Sequence, residues 1–455
     1  MGTPFPFELL LVFGFLSIML LAGLFLRAKV TVLQNFLFPG CLVGGVLGLI
    51  LINTGTVHIS SKTLQAIAYH LFNISFISVG LTSSDIDTGQ GGHGKEIAKG
   101  SVWMALTQGI TFPLQAVIGG LTVALLSLFG LKLFSTFGFL LPLGFNEGPG
   151  EALSFGKVWE GIGFQDAATI GLGFATMGYL FSLLVGVPLV NWGIRKGYSA
   201  HGGKALPKDF LIGIVSKTQE KEKAGELTIH SGNTDTLAFQ MAMVGLIYVI
   251  TYFFVKYLGR LLPADVAKMM WGFFFFFGLG FALCVKWVMN KLGWAYLLDP
   301  GIQRRITGWS VDFLIVATVA AIQVLVVWKY VVPFFGISLV GGILTTLVVV
   351  YLGKRLPSYN LERMAAIYGT VTGTVSCGLL LLRIADPEFR TPVAIEIAIM
   401  NVFAVPVVGG GTILINGPIW WNWSVLFTTG IFFAIMLASA AAIRALGLWG
   451  KRAYE

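Results

Sequence analysis

Leu143 to Ala152 reads LGFNEGPGEA and Tyr368 to Cys377 reads YGTVTGTVSC, and these two stretches decide the fold. Each sits inside an apolar segment and interrupts it with glycines and small polar residues. Each is followed by a charged turn and then by a full-length apolar run. Irregular backbone at membrane depth is tolerated only where protein or a water-filled cavity satisfies its N–H and C=O groups. Two such places at matching positions of two half-chains are the sequence mark of a binding site built from opened helices.

The rest of the chain supplies the membrane. Of 455 residues, 56% are hydrophobic and 11% charged, against roughly a quarter charged in a soluble domain. Several apolar runs reach the roughly 20 residues that cross a bilayer. None alternates every second residue as a transmembrane barrel strand would. The class is therefore an all-α polytopic membrane protein. The net charge of +9 reads as topology rather than nucleic-acid binding, because Lys and Arg collect in cytoplasmic loops. Cys41, Cys284 and Cys377 lie in apolar segments with neither metal spacing nor a disulfide framework. The first apolar run, preceded by Glu8 and lacking a basic flank, reads as a retained span rather than a signal peptide.

The runs predict about 11 spans, near 7–26, 33–53, 63–83, 102–131, 167–193, 238–258, 265–289, 308–328, 332–353, 393–416 and 420–446. The interrupted segments 133–160 and 360–386 are each long enough for two half-helices and a tip, and read as re-entrant hairpins. Charge supports this. With the N-terminus outside and each hairpin returning to its side of entry, Arg27, Arg195, Arg304, Arg305, Lys354, Arg363, Arg390 and Arg444 fall inside. Lys62, Lys132, Lys157, Lys256, Arg260, Lys268 and Lys329 stay outside. The bias is roughly three to one over all such residues, in the direction the positive-inside rule requires. One hairpin read as a single crossing destroys it. The C-terminus is then inside. Residues 33–193 and 265–416 become two inverted-topology repeats. The segments 1–32, 238–264 and 417–455 supply extra spans, and 194–237 is a basic cytoplasmic linker.

At the first tip, Pro149 breaks a helix, while Gly144, Gly148 and Gly150 open the backbone to a ligand. Asn146, Glu147 and Glu151 lie beside it. An intramembrane carboxylate is a functional hypothesis by default, although both acids could also be solvated in a vestibule or paired with Lys157. At the second tip, Gly369, Thr370, Thr372, Gly373, Thr374 and Ser376 offer hydroxyls and freed carbonyls suited to Na⁺, or half-helix N-termini suited to a carboxylate. Small-residue helix packing is the plainer alternative. Substrate is expected at Asn146, Glu147, Gly148, Gly150, Glu151, Gly373, Thr374, Ser376 and Asn401. A cation is expected at Asn73, Ser75, Asp312, Thr370 and Thr372. Ser78, Thr176 and Thr318 occupy comparable helical places. Asp312, one turn from the end of its span, reads equally as a helix N-terminal acid. Trp420, Trp421 and Trp423 form an interfacial belt, Phe273–Phe277 is lipid-facing or core bulk, and His93 in GGHGKE matches a phosphate loop only loosely.

From about Phe38 to Asn416 the chain resembles the sodium/glutamate symporter family. The matches are Pro39 to Gly45 (PGCLVGG), Ser78 to Leu81 (SVGL), Gly163 to Gly178 (GFQDAATIGLGFATMG) and the glycine-rich tips. The resemblance implies two re-entrant loops meeting near the midplane, Na⁺ as coupling ion without a further cofactor, uptake of an acidic amino acid, a homodimer, and a bacterial inner membrane. The family's first tip is of a Gly-Gly-His-Gly-Thr-Gly type. Asn146-Glu147-Gly148-Pro149-Gly150-Glu151 stands here, and Thr374-Val375-Ser376 stands where Ala-Thr-Pro is usual. Two added carboxylates disfavour a dianionic cargo, which would need extra cations or a protonated Glu.

The expected function is Na⁺-coupled secondary transport of glutamate or a related small amino acid or carboxylate by alternating access. A proton-coupled carrier of another small solute and a channel lined by re-entrant loops are the alternatives. No nucleophile–base pair points to an enzyme.

Overall fold

The structure, a computed structural model, describes residues 7–82, 94–200, 208–217, 223–356, 358–387 and 390–450. The side chains of 264, 265, 269 and 401–407 are outside that description, so Asn401 is placed only by its helix. His93 and part of the 194–237 linker are likewise outside the described residues.

Among the described residues every regular element is helical and there is no strand. The longer helices in chain order are α1 Glu8–Lys29, α2 Gly40–Asn53, α3 Ser61–Leu81, α4 Gly94–Leu128 and α5 Pro149–Glu160. They continue with α6 Ala167–Arg195, α7 Thr236–Arg260, α8 Phe274–Lys291, α9 Pro300–Ala320 and α10 Val331–Gly353. The last are α11 Asn360–Thr372, α12 Val375–Ala385, α13 Val393–Leu414 and α14 Val425–Ala445. Eight of them, α1, α3, α4, α6, α7, α8, α10 and α14, are long and apolar enough to cross a membrane.

Three sequence-predicted spans differ in detail. The run at 33–53 folds as a short helix, Thr31–Asn35, followed by the 14-residue α2. The run at 265–289 splits into Ala264–Met270 and α8. The span expected at 308–328 instead starts at Pro300. Asp299 caps α9 by accepting the Ile302 N–H at 2.6 Å, and proline is well placed in a first turn, where an N–H has no intrahelical acceptor. Arg304 and Arg305, read as loop, are therefore helical, and Asp312 is mid-helix rather than at a helix end.

The chain forms two compact units. The first comprises Met1–Asp85, Leu153–Ala168 and Asp209–Val324. In it α9 packs on α2 and α3, α1 on α2, and α8 on α3. A buried polar thread ties three of its helices. Ser78 Oγ lies 2.6 Å from Gln303 Oε1, Gln303 Nε2 donates to Gln240 Oε1 at 2.9 Å, and Gln240 Nε2 donates to the Leu297 carbonyl. In the phenylalanine run, Phe273 and Phe274 are buried and Phe276 is exposed, while Phe275 meets Phe72 and Phe76.

The second unit comprises Ile86–Ala152, Thr169–Lys208 and Leu325–Glu455. Its axis is α4, a 35-residue helix with Pro113 inside it and a buried middle. Helices α10, α13 and α14 pack against α4, and α11 packs against α12. Arg363, counted from sequence among the inside charges at the start of the second interrupted segment, is buried in α11. It makes a two-pronged pair with Glu396 of α13, Nη2 to Oε1 at 2.6 Å and Nε to Oε2 at 2.8 Å. A fork of parallel N–H donors on a carboxylate is the arrangement in which a guanidinium tolerates burial.

Candidate functional site

The two interrupted stretches each break a helix, and both breaks belong to the second unit. In the first, the Gly148 N–H reaches back five residues to the Leu143 carbonyl at 2.9 Å, a single widened turn. Gly148 then takes φ 110° and ψ −172°, a region essentially closed to side chains with a Cβ. Pro149 follows with no N–H to continue the ladder, and α5 begins there. In the second, α11 ends at Thr372, Gly373 adopts φ −139° and ψ −92°, Thr374 is extended, and α12 begins at Val375.

The breaks touch. A Cβ on Gly148 would stand 3.0 Å from Thr374 Cγ2 and 3.6 Å from the Gly373 carbonyl oxygen. Gly178 of α6 is wedged beside both, since a Cβ there would run into the Thr372 carbonyl and stand 3.3 Å from Phe145 Cα. This gives a steric reason for the last glycine of the Gly163–Gly178 stretch.

One face of α4 holds both breaks. Gln108 Nε2 donates to Asn146 Oδ1 at 2.9 Å, and Asn146 Nδ2 donates to Thr111 Oγ1 at 3.1 Å. Gln115 Nε2 donates to the Val371 carbonyl at 3.0 Å and to Thr345 Oγ1 at 3.2 Å. Positions 108, 111 and 115 are i, i+3 and i+7, a single helical stripe. All of these side chains are buried. None of the α4 residues was singled out in sequence, although a polar stripe at that spacing in an apolar helix was the available signal.

Glu147 Oε1 accepts the Thr412 hydroxyl of α13 at 2.6 Å. Glu151 is buried in the first turn of α5. Lys157, the sequence-level candidate partner for either acid, pairs with Glu160 at 2.7 Å. Gly150 is buried, whereas Ser376, in the first turn of α12, is exposed. Thr370 and Thr372 are buried and donate to the Ala366 and Tyr368 carbonyls at 2.9 and 2.6 Å. Their oxygens keep lone pairs for a further partner. Thr176 likewise donates to Leu172 in its own helix.

Asn73, Ser75 and Asp312 belong to the first unit. Asn73 Nδ2 donates to the Tyr69 carbonyl and Ser75 Oγ to the Phe72 carbonyl. Asp312 is exposed in the middle of α9, and Thr318 donates to the Ile315 carbonyl. Asn73, Ser75 and Thr318 are thus engaged on their own helices. Among the described residues no cluster of His, Cys, Asp and Glu is suited to a metal ion.

A helical chain with eight membrane-length helices among its described residues and two opened helices in contact at their breaks is an integral membrane protein of the transport class. The profile described as sodium/glutamate symporter matches residues 7–356, and the chain belongs to that family. It is a family of transporters, not enzymes. The match begins before Phe38 and stops at 356, so the first break lies inside it and the second beyond it. No curated protein matches the chain.

Proposed function

We propose that the protein is a Na⁺-coupled secondary carrier of glutamate or a related small amino acid or carboxylate. The breaks at 143–148 and 373–374 act as the tips of two re-entrant hairpins in inverted repeats, 33–193 and 265–416. The observation that carries the reading is the seating of both tips on one stripe of α4, with Gly148 against Thr374. Cation binding orders the opened backbone, the ordered backbone completes the cargo pocket, and the two repeats move to alternate access.

The helix ends divide the labour. The C-terminus of α11 presents partial negative charge and the Thr370 and Thr372 oxygens, which suits Na⁺. The N-terminus of α12, with Ser376, presents partial positive charge, which suits a carboxylate. Asn146 and Glu147 complete the wall. Re-entrance of the second tip has separate support. The Gly450 N–H donates to the Arg355 carbonyl at 2.8 Å, and the Arg355 guanidinium lies over the Tyr351 and Trp449 rings. The ends of α10 and α14 thus share a side. With α13 and α14 each crossing once, the α11–α12 segment must return to the side it left.

Reconstitution into proteoliposomes tests the proposal. An inward Na⁺ gradient should drive accumulation of a small amino acid or carboxylate above its equilibrium level. Equilibration at channel-like rates, or no response to either a Na⁺ or a proton gradient, would rule it out.

A further inference from the structure

We infer that Glu362 is a proton-binding site, and that its proton pins the base of the second interrupted segment to the chain that follows α6. The site stands apart from the carrier reading, which enters only in the vesicle test.

The base is where α11 begins and α12 ends, far along both helices from Gly373. Glu362 lies in the first turn of α11 and is fully buried. Three oxygens are in contact there. Ser199 Oγ stands 2.8 Å from the Ala385 carbonyl oxygen and 2.9 Å from Glu362 Oε1. Both spacings are those of O–H···O bonds, so the three oxygens need two protons between them. The Ala385 carbonyl only accepts, a serine hydroxyl has one proton to give, and an ionised carboxylate has none. A proton on Glu362 completes the chain: the acid donates to Ser199, and Ser199 donates to Ala385. The other carboxyl oxygen agrees. Oε1 also accepts the Ala200 N–H at 2.7 Å, but Oε2 is buried without a hydrogen-bond partner. A bare carboxylate oxygen in a dry site costs more than a bare carbonyl oxygen.

The charges around the base leave this count intact. Asp386 follows Ala385, and its oxygens accept the Arg390 and Thr391 N–H groups and the Thr391 hydroxyl. Arg363, next to Glu362, turns to Ser358 and to Glu396 of α13. Glu96 of α4 accepts the Ser358 hydroxyl. Arg383 of α12, Lys354 and Arg355 after α10, and Arg195, Lys196 and Tyr198 at the end of α6 and just after it are the other titratable groups brought near by elements packed on α11. Among the described residues no Lys, Arg or His pairs with Glu362. The sign of the pH effect follows. In the unfolded chain a glutamate ionises near about pH 4.3. Above that pH the folded form holds the extra proton, so raising the pH removes stability until the folded acid itself ionises.

Purified wild type and Glu362→Gln, which keeps the size and the neutral charge, test the site. The infrared difference spectrum, wild type minus variant, should show the carbonyl stretch of a protonated carboxylic acid at neutral pH. The thermal midpoint of wild type should also fall relative to that of the variant as the pH rises. Carboxylate bands in place of the acid band, with a midpoint difference that is flat in pH, would overturn the inference. Ser199→Ala covers the case of a Glu362 variant that fails to fold. It removes the acceptor of the acid proton and should shift the acid band, and an unmoved band would overturn the three-oxygen chain. In proteoliposomes, uptake should rise several-fold when the internal pH is raised, because loss of the proton frees the base, and Glu362→Gln should lose that response. An acid band without gradient-driven uptake keeps the proton site and removes the carrier. Uptake without the acid band keeps the carrier and overturns the site. Band and uptake together, with no response to internal pH, would overturn the pinning of the base.

Discussion

Glu147 and Thr372 carry the clearest single-residue consequences. Glu147 has a hydroxyl partner but lies in no described ion pair, and an isolated carboxylate is expensive at membrane depth. Its retention there argues for an exchangeable partner during the transport cycle. Glu147→Gln preserves shape and the Thr412 contact, so the protein should fold normally while coupled uptake falls by at least tenfold. Wild-type uptake by the variant would reduce Glu147 to a packing residue. Thr372→Val removes an oxygen while keeping volume. The lost bond to Tyr368 is worth about 1 kcal/mol, and the Na⁺ concentration for half-maximal uptake should rise several-fold. An unchanged Na⁺ dependence would exclude Thr372 from the ion site. The breaks beside both residues were legible in sequence because glycines and a proline marked where helices open. Asp312 shows the opposite. Its place was misjudged because Arg304 and Arg305 were taken for a loop, whereas Asp299 and Pro300 are the signals that start the helix.

At the level of elements, α4 is the strut and the breaks are its load. Asn146→Ala leaves the Gln108 amide without its partner, and Gln115→Ala leaves the buried Val371 carbonyl without one, at about 1–3 kcal/mol each. The two breaks also touch each other, so these losses should not add. A double-mutant cycle read by thermal unfolding should give a coupling of about 0.5–3 kcal/mol, and strict additivity would show that the breaks are held separately. The α11–α13 clamp makes a second case. Arg363→Ala strands Glu396 in a dry interior and should destabilise by about 3–5 kcal/mol, whereas changing both to Met should recover most of that loss. A double variant no more stable than the single would mean that the pair does more than neutralise itself. The clamp was hidden in sequence because a charge near the start of an apolar helix looks the same whether it faces water or a partner 33 residues away. The stripe of Gln108, Thr111 and Gln115 was hidden for a related reason: periodicity shows that a face is polar, not what it meets.

For the whole molecule the question is how many times the chain crosses the bilayer. Eight helices pass on length and apolarity, and the charge bias requires that neither interrupted segment adds an odd crossing. The proposed return of the second segment to its side of entry has support from geometry as well, in the Gly450 N–H donating to the Arg355 carbonyl. Lys354 precedes that segment and Arg390 follows it; Lys132 and Gln165 flank the first in the same way. Single cysteines at Lys354 and Arg390, in a chain freed of Cys41, Cys284 and Cys377, should react with an impermeant maleimide from one face of sealed vesicles. Cysteines at Lys132 and Gln165 should react from the other. If the members of either pair reacted from opposite faces, that segment would be a complete crossing. The repeats would then lose their inversion, and the tips would have no reason to meet at the middle of the membrane. A cysteine at Ser376 adds the functional half. It should be modified readily in the absence of cargo and protected when Na⁺ and cargo are present together, because occupation of the α12 N-terminus covers the exposed side chain. Protection by cargo alone, with Na⁺ making no difference, would separate cargo binding from the ion and leave the coupling without a structural basis at this junction.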